Sequence, residues 1–274
     1  MLAAQAARRD YDVLALTSAQ WDITNPEAAE RIVQKGDVVI NCAAYTNVDA
    51  AESDETTAHA VNATGPQHIA RACARAGAQL IHVSTDYVFS GDFGADGPRP
   101  YEPSDKTAPL GVYGRTKLAG EVAVLDALPQ AVVVRTAWVY TGGTGKDFVA
   151  VMRRLAAGDG PVDVVDDQVG SPTYVADLAV ALLQVADDRV PGPILHAANE
   201  GAISRFEQAR AVFEESGADP QRVRPVSSTQ NPRPAPRPGY SALGSRESAE
   251  RGLTPLRPWR SALVAALAAV TLDA

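Results

Sequence analysis

Short, almost continuously apolar runs recur along the chain between longer stretches with helical spacing. Residues 12–16 (DVLAL), 37–41 (DVVIN), 79–84 (QLIHVS), 131–136 (AVVVRT) and 194–197 (ILHA) have the continuity of strands covered on both faces. Asn25, Pro26 and Glu27 offer an N-cap, a proline at the first helical position and an acid in the first turn. They predict a helix that runs on through AAERIVQ and stops at Gly36. A long helix is predicted over residues 56–76, closed by Gly77, with Gly65-Pro66 placed to bend or interrupt it. Further helices are expected over 147–158, 204–216 and 259–272, the last packing its Leu and Val positions on the core.

Strands that alternate with helices predict an α/β protein built on a parallel sheet with right-handed crossovers. Ligands of such sheets bind beyond the carboxyl ends of the strands. The second half changes character, since residues 224–239 (RPVSSTQNPRPAPRPG) are rich in proline and lack periodicity. That segment reads either as an extended surface linker or as a loop closing over a substrate, with Arg233 or Arg237 available to an anionic group.

Composition narrows the function. With 25 basic residues against 33 acidic ones the formal charge is −8, which argues against a nucleic-acid partner. No run of 18 apolar residues occurs, so no membrane-spanning helix is expected. The first residues lack the charged, apolar and small-residue succession of a secretory leader, and a cytoplasmic protein is expected. Cys42 and Cys73 are too few for a disulfide framework and read as small buried residues of a strand and a helix.

The chemistry sits in Tyr113-Gly-Arg-Thr-Lys117, preceded by Ser84-Thr85-Asp86-Tyr87 at the end of an apolar run. On a helix Tyr113 and Lys117 share a face, which brings an ammonium toward a phenol and lowers the phenol's pKa for acid–base work near neutral pH. A hydroxyl from Thr85 could hold a substrate carbonyl oxygen while negative charge develops on it. With 8 Tyr and only 4 Lys in the chain, chance would supply roughly 0.1 such pairs. The pair also follows a loop and opens an amphipathic stretch, as a helix entering an active site would.

Several strings then resemble the extended short-chain dehydrogenase/reductases. They are Trp21-Asp-Ile-Thr-Asn-Pro26, Asn41-Cys-Ala-Ala-Tyr-Thr-Asn-Val-Asp49, Val61-Asn-Ala-Thr-Gly65, His82-Val-Ser-Thr-Asp-Tyr-Val-Phe89, Tyr113-Gly-Arg-Thr-Lys117, Arg135-Thr-Ala-Trp-Val-Tyr140 and Asp166-Asp-Gln-Val-Gly-Ser-Pro-Thr173. Within them the chain is most similar to the dTDP-4-dehydrorhamnose reductase family. The resemblance implies a Rossmann-like doubly wound sheet with a smaller substrate-binding portion. The dinucleotide-binding domain would take residues 1–140 with returning segments near 162–198, and the substrate-binding portion 141–161 and 199–274. It implies NADPH- or NADH-dependent reduction of dTDP-4-dehydro-β-L-rhamnose to dTDP-β-L-rhamnose in the synthesis of a polysaccharide sugar.

Residue by residue, the resemblance makes Tyr113 the acid, Lys117 its partner and the holder of the nicotinamide ribose, and Thr85 the ligand of the carbonyl oxygen. Asp86 would contact the sugar and Trp138 flank its ring. Ala43, Ala44 and Tyr45 would line the cofactor, with Asp22 and Ile23 near the adenine. Some relatives are Mg²⁺-associated homodimers, although no compact carboxylate cluster with ligand spacing is evident in this sequence.

The sequence departs from the pattern in three places. The family opens on a strand and a GxxGxxG turn that receives the cofactor diphosphate. This chain opens on Met1-Leu-Ala-Ala-Gln-Ala-Ala-Arg-Arg9, which reads as the helix following that turn, through a late-placed start or a truncation. The glycines of Gly142-Gly143-Thr144-Gly145-Lys146-Asp147 lack the spacing of a phosphate loop and read as a flexible turn. Residues 12–16 lead into Thr17-Ser18, with no carboxylate to repel a 2′-phosphate, which admits NADPH. Tyr240 stands where the family's substrate segment Arg-Pro-x-Asn-Ser has asparagine. A second reading is a non-catalytic binding homologue, similar to methionine adenosyltransferase regulatory β subunits, which share the fold.

Overall fold

The computed structural model describes residues 1–143 and 145–271. Four of the apolar runs form strands, Val38–Asn41, Gln79–Thr85, Val132–Thr136 and Ile194–His196, side by side and parallel in that order. Successive residues of a strand face opposite sides. Leu80 accordingly joins Ile69, Cys73 and Val124 on one face of the sheet, while Ile81 joins Val134, Leu182 and Leu195 on the other. Both faces are buried along the inner strands, as unbroken apolarity requires, while the edge strand leaves Val38 exposed.

The fifth run, residues 12–16, forms no strand, contrary to expectation. Leu14 is 74 % exposed, and no described strand runs alongside to take the segment's amides and carbonyls. Apolarity makes a strand only where a hydrogen-bonding neighbour exists.

The helices begin where their caps predict. Asn25 Oδ1 accepts the Glu27 N–H at 3.0 Å at the start of Pro26–Ile32, which stops short of Gly36. The long predicted helix is three pieces: Glu55–His59, a π-helical turn Ala60–Thr64, and Gly65–Ala76, which Gly77 closes with φ +71°. Pro66 has no N–H to give to the carbonyl four residues earlier, so the ladder changes register there. Thr144, in the predicted glycine turn, and Leu272, in the last predicted helix, lie outside the described residues.

A second set of elements packs around Tyr140, Met152, Phe213 and Leu263. Val162–Val165 pairs with Val223–Val226, and Val169–Gly170 with Ile203–Ser204. The returning segment therefore divides. Val162–Val165 and Val169–Gly170 hydrogen-bond to the C-terminal part and Thr173–Tyr174 pairs with Val139–Tyr140, whereas Val175–Asp187 and Ile194–His196 rejoin the central sheet.

The proline-rich segment is neither loose linker nor free loop. It begins as the Val223–Val226 strand and then runs as a strap across the molecule. Arg233, Ala235 N and Arg237 all bond the Asp49 carboxylate, and farther on Ser241 bonds Asp86. Among the described residues no helix is long and apolar enough to cross a membrane.

Candidate active site

The strand Gln79–Thr85 delivers Thr85 to its carboxyl end, where a 3-10 turn, Asp86–Val88, begins. Helix Val112–Ala127 starts beside that turn and carries Tyr113 in its first turn. The approach is close because residue 114 is glycine: a Cβ there would stand 2.2 Å from the Tyr87 carbonyl oxygen. Tyr113 packs edge-on against Tyr87, ring centroids 5.8 Å apart, with the Thr85 hydroxyl near enough to act on its phenol. Burial pushes the Tyr113 phenol above its ordinary range, Thr85 pulls it down and the Asp86 charge adds to the rise.

Lys117 follows on the same helix and is 2 % exposed. Its Nζ donates to the Val83 carbonyl oxygen at 2.7 Å rather than to Tyr113. Burial lowers it to about 8, with the Glu121 carboxylate pulling it back up. The expectation that the ammonium lowers the phenol's pKa is therefore corrected for this structure. Loss of water around the ring dominates, and Thr85 is the group that opposes it.

At the end of the neighbouring strand, Cys42 and Ala43 are exposed and Ala44 and Tyr45 half-buried, forming a wall at the sheet edge. Cys42 was expected in the core; it is exposed, though crowding still raises its thiol pKa. Asn62, fully buried in the π-helical turn, fixes this wall. Its side chain accepts the Tyr45 N–H at 2.8 Å, donates to the Tyr45 carbonyl and reaches the Thr116 hydroxyl at 3.1 Å. Asp22 and Ile23 stand apart from these groups. Asp22 turns its carboxylate onto the Thr24 amide and hydroxyl, and Ile23 is core, packed with Val33 and Ile69.

On the opposite side Asp86 is 2 % exposed and held by Ser241 Oγ at 2.5 Å and Thr85 Oγ1 at 3.1 Å. Burial raises its carboxyl to about 6 against the pull of those two hydrogen bonds. Trp138 is half-buried with φ +48°, and the fused side of its indole lies on Gly170, where a Cβ would meet the ring at 2.4 Å. Arg237 and Arg233, read from sequence as open to an anion, are both engaged by Asp49.

Four residues of the site carry no motif-level signal that the sequence reading used: Asn62, Glu121, Arg205 and Ser241. Asn62 lies within Val61-Asn-Ala-Thr-Gly65 and Ser241 next to Tyr240, but only the fold shows what they hold. Glu121 is buried one turn beyond Lys117, where it pairs with Arg135 at 2.7 Å and accepts from Ser84 at 2.5 Å. Among the described residues no three His, Cys, Asp or Glu side chains gather to hold a metal ion, so Mg²⁺ finds no support.

The chain as a whole has close counterparts among known proteins. The family described as RmlD substrate binding domain matches residues 1–272. A dTDP-4-dehydrorhamnose reductase of Mycobacterium tuberculosis is 77 % identical over 268 residues, 98 % of this chain and 88 % of the relative. The crystal structure of a dTDP-4-dehydrorhamnose reductase from Clostridium acetobutylicum superposes with a TM-score of 0.92 at 35 % identity, over 98 % of this chain and 94 % of that one. The Bacillus anthracis enzyme of the same name, in complex with NADP, gives 0.89 at 34 % identity, covering all of this chain and 95 % of the other. The chain belongs to the dTDP-4-dehydrorhamnose reductase family, an α/β fold of the short-chain reductase type.

Proposed function

We propose that this protein reduces the C4 ketone of dTDP-4-dehydro-β-L-rhamnose to dTDP-β-L-rhamnose, with NADPH as the reductant. The observation that carries the reading is the Thr85 hydroxyl beside the Tyr113 phenol, with buried Lys117 one turn along the same helix, at the carboxyl end of a parallel sheet. Burial keeps the phenol protonated, the form a general acid must start from. As negative charge grows on the ketone oxygen, that oxygen becomes a stronger base than phenolate and takes the Tyr113 proton. Thr85 holds the oxygen in place while this happens.

The wall beside Tyr113 suits the nicotinamide half of the cofactor. Ala43 and Ala44 leave an open, small-residue wall, Tyr45 is locked by Asn62, and Lys117 offers a buried ammonium for ribose hydroxyls. When bound, the cofactor supplies the hydride that completes the reduction. Asp22 and Ile23 are assigned to the adenine end, Asp86 and Trp138 to the sugar. The 2′-phosphate of NADPH meets no carboxylate at Thr17-Ser18. The central sheet would carry the dinucleotide and the C-terminal elements the sugar nucleotide, in a cytoplasmic homodimer. The regulatory-subunit alternative is disfavoured, because a binding module has no use for a half-buried phenol and a buried lysine set at a strand end.

The test is Tyr113→Phe. Turnover should fall by about a hundredfold or more, while affinity for the dTDP-sugar stays within a few-fold. Unchanged turnover would overturn the reading.

A further inference from the structure

Arg205 opens the helix Arg205–Glu215, whose start is fixed by a capping box between Ser204 and Glu207. Its backbone N–H is tied to the Gln168 carbonyl at 3.1 Å. The guanidinium is thereby laid over the Trp138 ring, 3.4 Å from the centroid, with the Phe148 ring on another side at 4.9 Å. One of its N–H groups is used, by Nη1 to Gln208 Oε1 at 3.2 Å. Among the described residues no carboxylate stands within ion-pair distance of it. Crowding by protein lowers it to about 10, Tyr87 and Asp86 stabilise its charge from a distance, and Arg237 opposes it.

An arginine stays protonated whatever surrounds it. Here such a charge is taken largely out of water and given aromatic faces but no counter-ion, with a second cation close enough to repel it. Stacking alone does not require this, since an apolar side chain would pack on Trp138 without the cost of desolvating a charge. The nearest acid, Asp86, is itself held partly neutral by burial and already serves Ser241 and Thr85. The planar fork of Arg205 has donors left over, and a diphosphate is the kind of acceptor that matches them bidentately.

We infer that Arg205, stacked on Trp138, receives the diphosphate of the nucleoside-diphosphate sugar. This inference rests on the proposed function, in which Trp138 and Asp86 border the sugar, so that the group next to them is the phosphate attached to the sugar's C1. The surface that orients the sugar and the charge that anchors its leader would then be one stacked pair. Arg237, already bonded to Asp49, adds field rather than contact.

Isothermal titration of the full chain tests this with dTDP, UDP, inorganic pyrophosphate and thymidine, for the native protein, Arg205→Gln and Arg205→Lys. Arg205→Gln should weaken dTDP and pyrophosphate at least tenfold, leave thymidine and NADPH affinities unchanged, and raise KM for the sugar nucleotide more than it lowers kcat. Arg205→Lys, which keeps charge but not the fork, should recover part of the diphosphate affinity. The inference is overturned if Arg205→Gln binds dTDP as the native protein does. It is equally overturned if thymidine and dTDP weaken together, since that marks a role confined to propping Trp138. Should UDP bind as well as dTDP with the same dependence on Arg205, the inference stands and the thymidine specificity of the proposed function falls.

Discussion

Asp86 and Lys117 show how burial sets the chemistry of single residues. The Asp86 carboxyl is raised from 3.8 to about 6 by loss of water, so between those values the folded chain holds a proton that the unfolded chain releases. Raising the pH through that window weakens the fold, by an amount on the order of 3 kcal/mol at most once the group is fully ionised. Asp86→Asn should flatten this dependence, giving a melting temperature that no longer falls between pH 4 and pH 7 in thermal unfolding. Lys117, lowered to about 8 by burial, sheds its charge as pH rises through that value. The pH profile of kcat/KM should accordingly fall above pH about 8, and a profile flat to pH 10 would refute a role for the ammonium. The identities of Tyr113, Lys117 and Thr85 could be read from the sequence because one spacing carries them. Their electrostatics could not, because the Val83 carbonyl that accepts the Lys117 hydrogen bond belongs to another element.

At the scale of elements, helix Val112–Ala127 is placed by the contact of Gly114 with the Tyr87 carbonyl. Gly114→Ala would push the helix off the 3-10 turn. A loss of about 2 kcal/mol in stability, and a larger relative drop in kcat than in sugar-nucleotide affinity, is the expected outcome in denaturant titration and steady-state kinetics. Strands with neighbours were legible from their unbroken apolarity, and the break at Gly65-Pro66 was legible from the missing proline N–H. Residues 12–16 misled for a physical reason, since strand formation is a property of a pair and the sequence of one member does not report on the other. Arg205 was invisible in the same sense. It gains meaning only where it meets Trp138, from a distant part of the chain.

Across the whole molecule, the strap after Val223–Val226 connects parts that the sheets leave separate. Asp49 is held well below the usual carboxylate range, first by its hydrogen bond to Arg237 and then by that to Arg233. Asp49→Asn should free the segment, seen as faster proteolytic cleavage within residues 231–239 and a rise in KM for the sugar nucleotide of roughly tenfold or less. Proline content announced an extended course for this stretch but not its anchorage, because Asp49 and Asp86 come from different elements. Ala242 accepts the Tyr101 N–H at 2.8 Å and Leu243 donates to Ser171 Oγ at 3.1 Å, so the strap is stitched to both halves. Neither half can therefore melt without tearing contacts that the other needs. Calorimetry of this chain should record a single cooperative transition in place of two staggered ones.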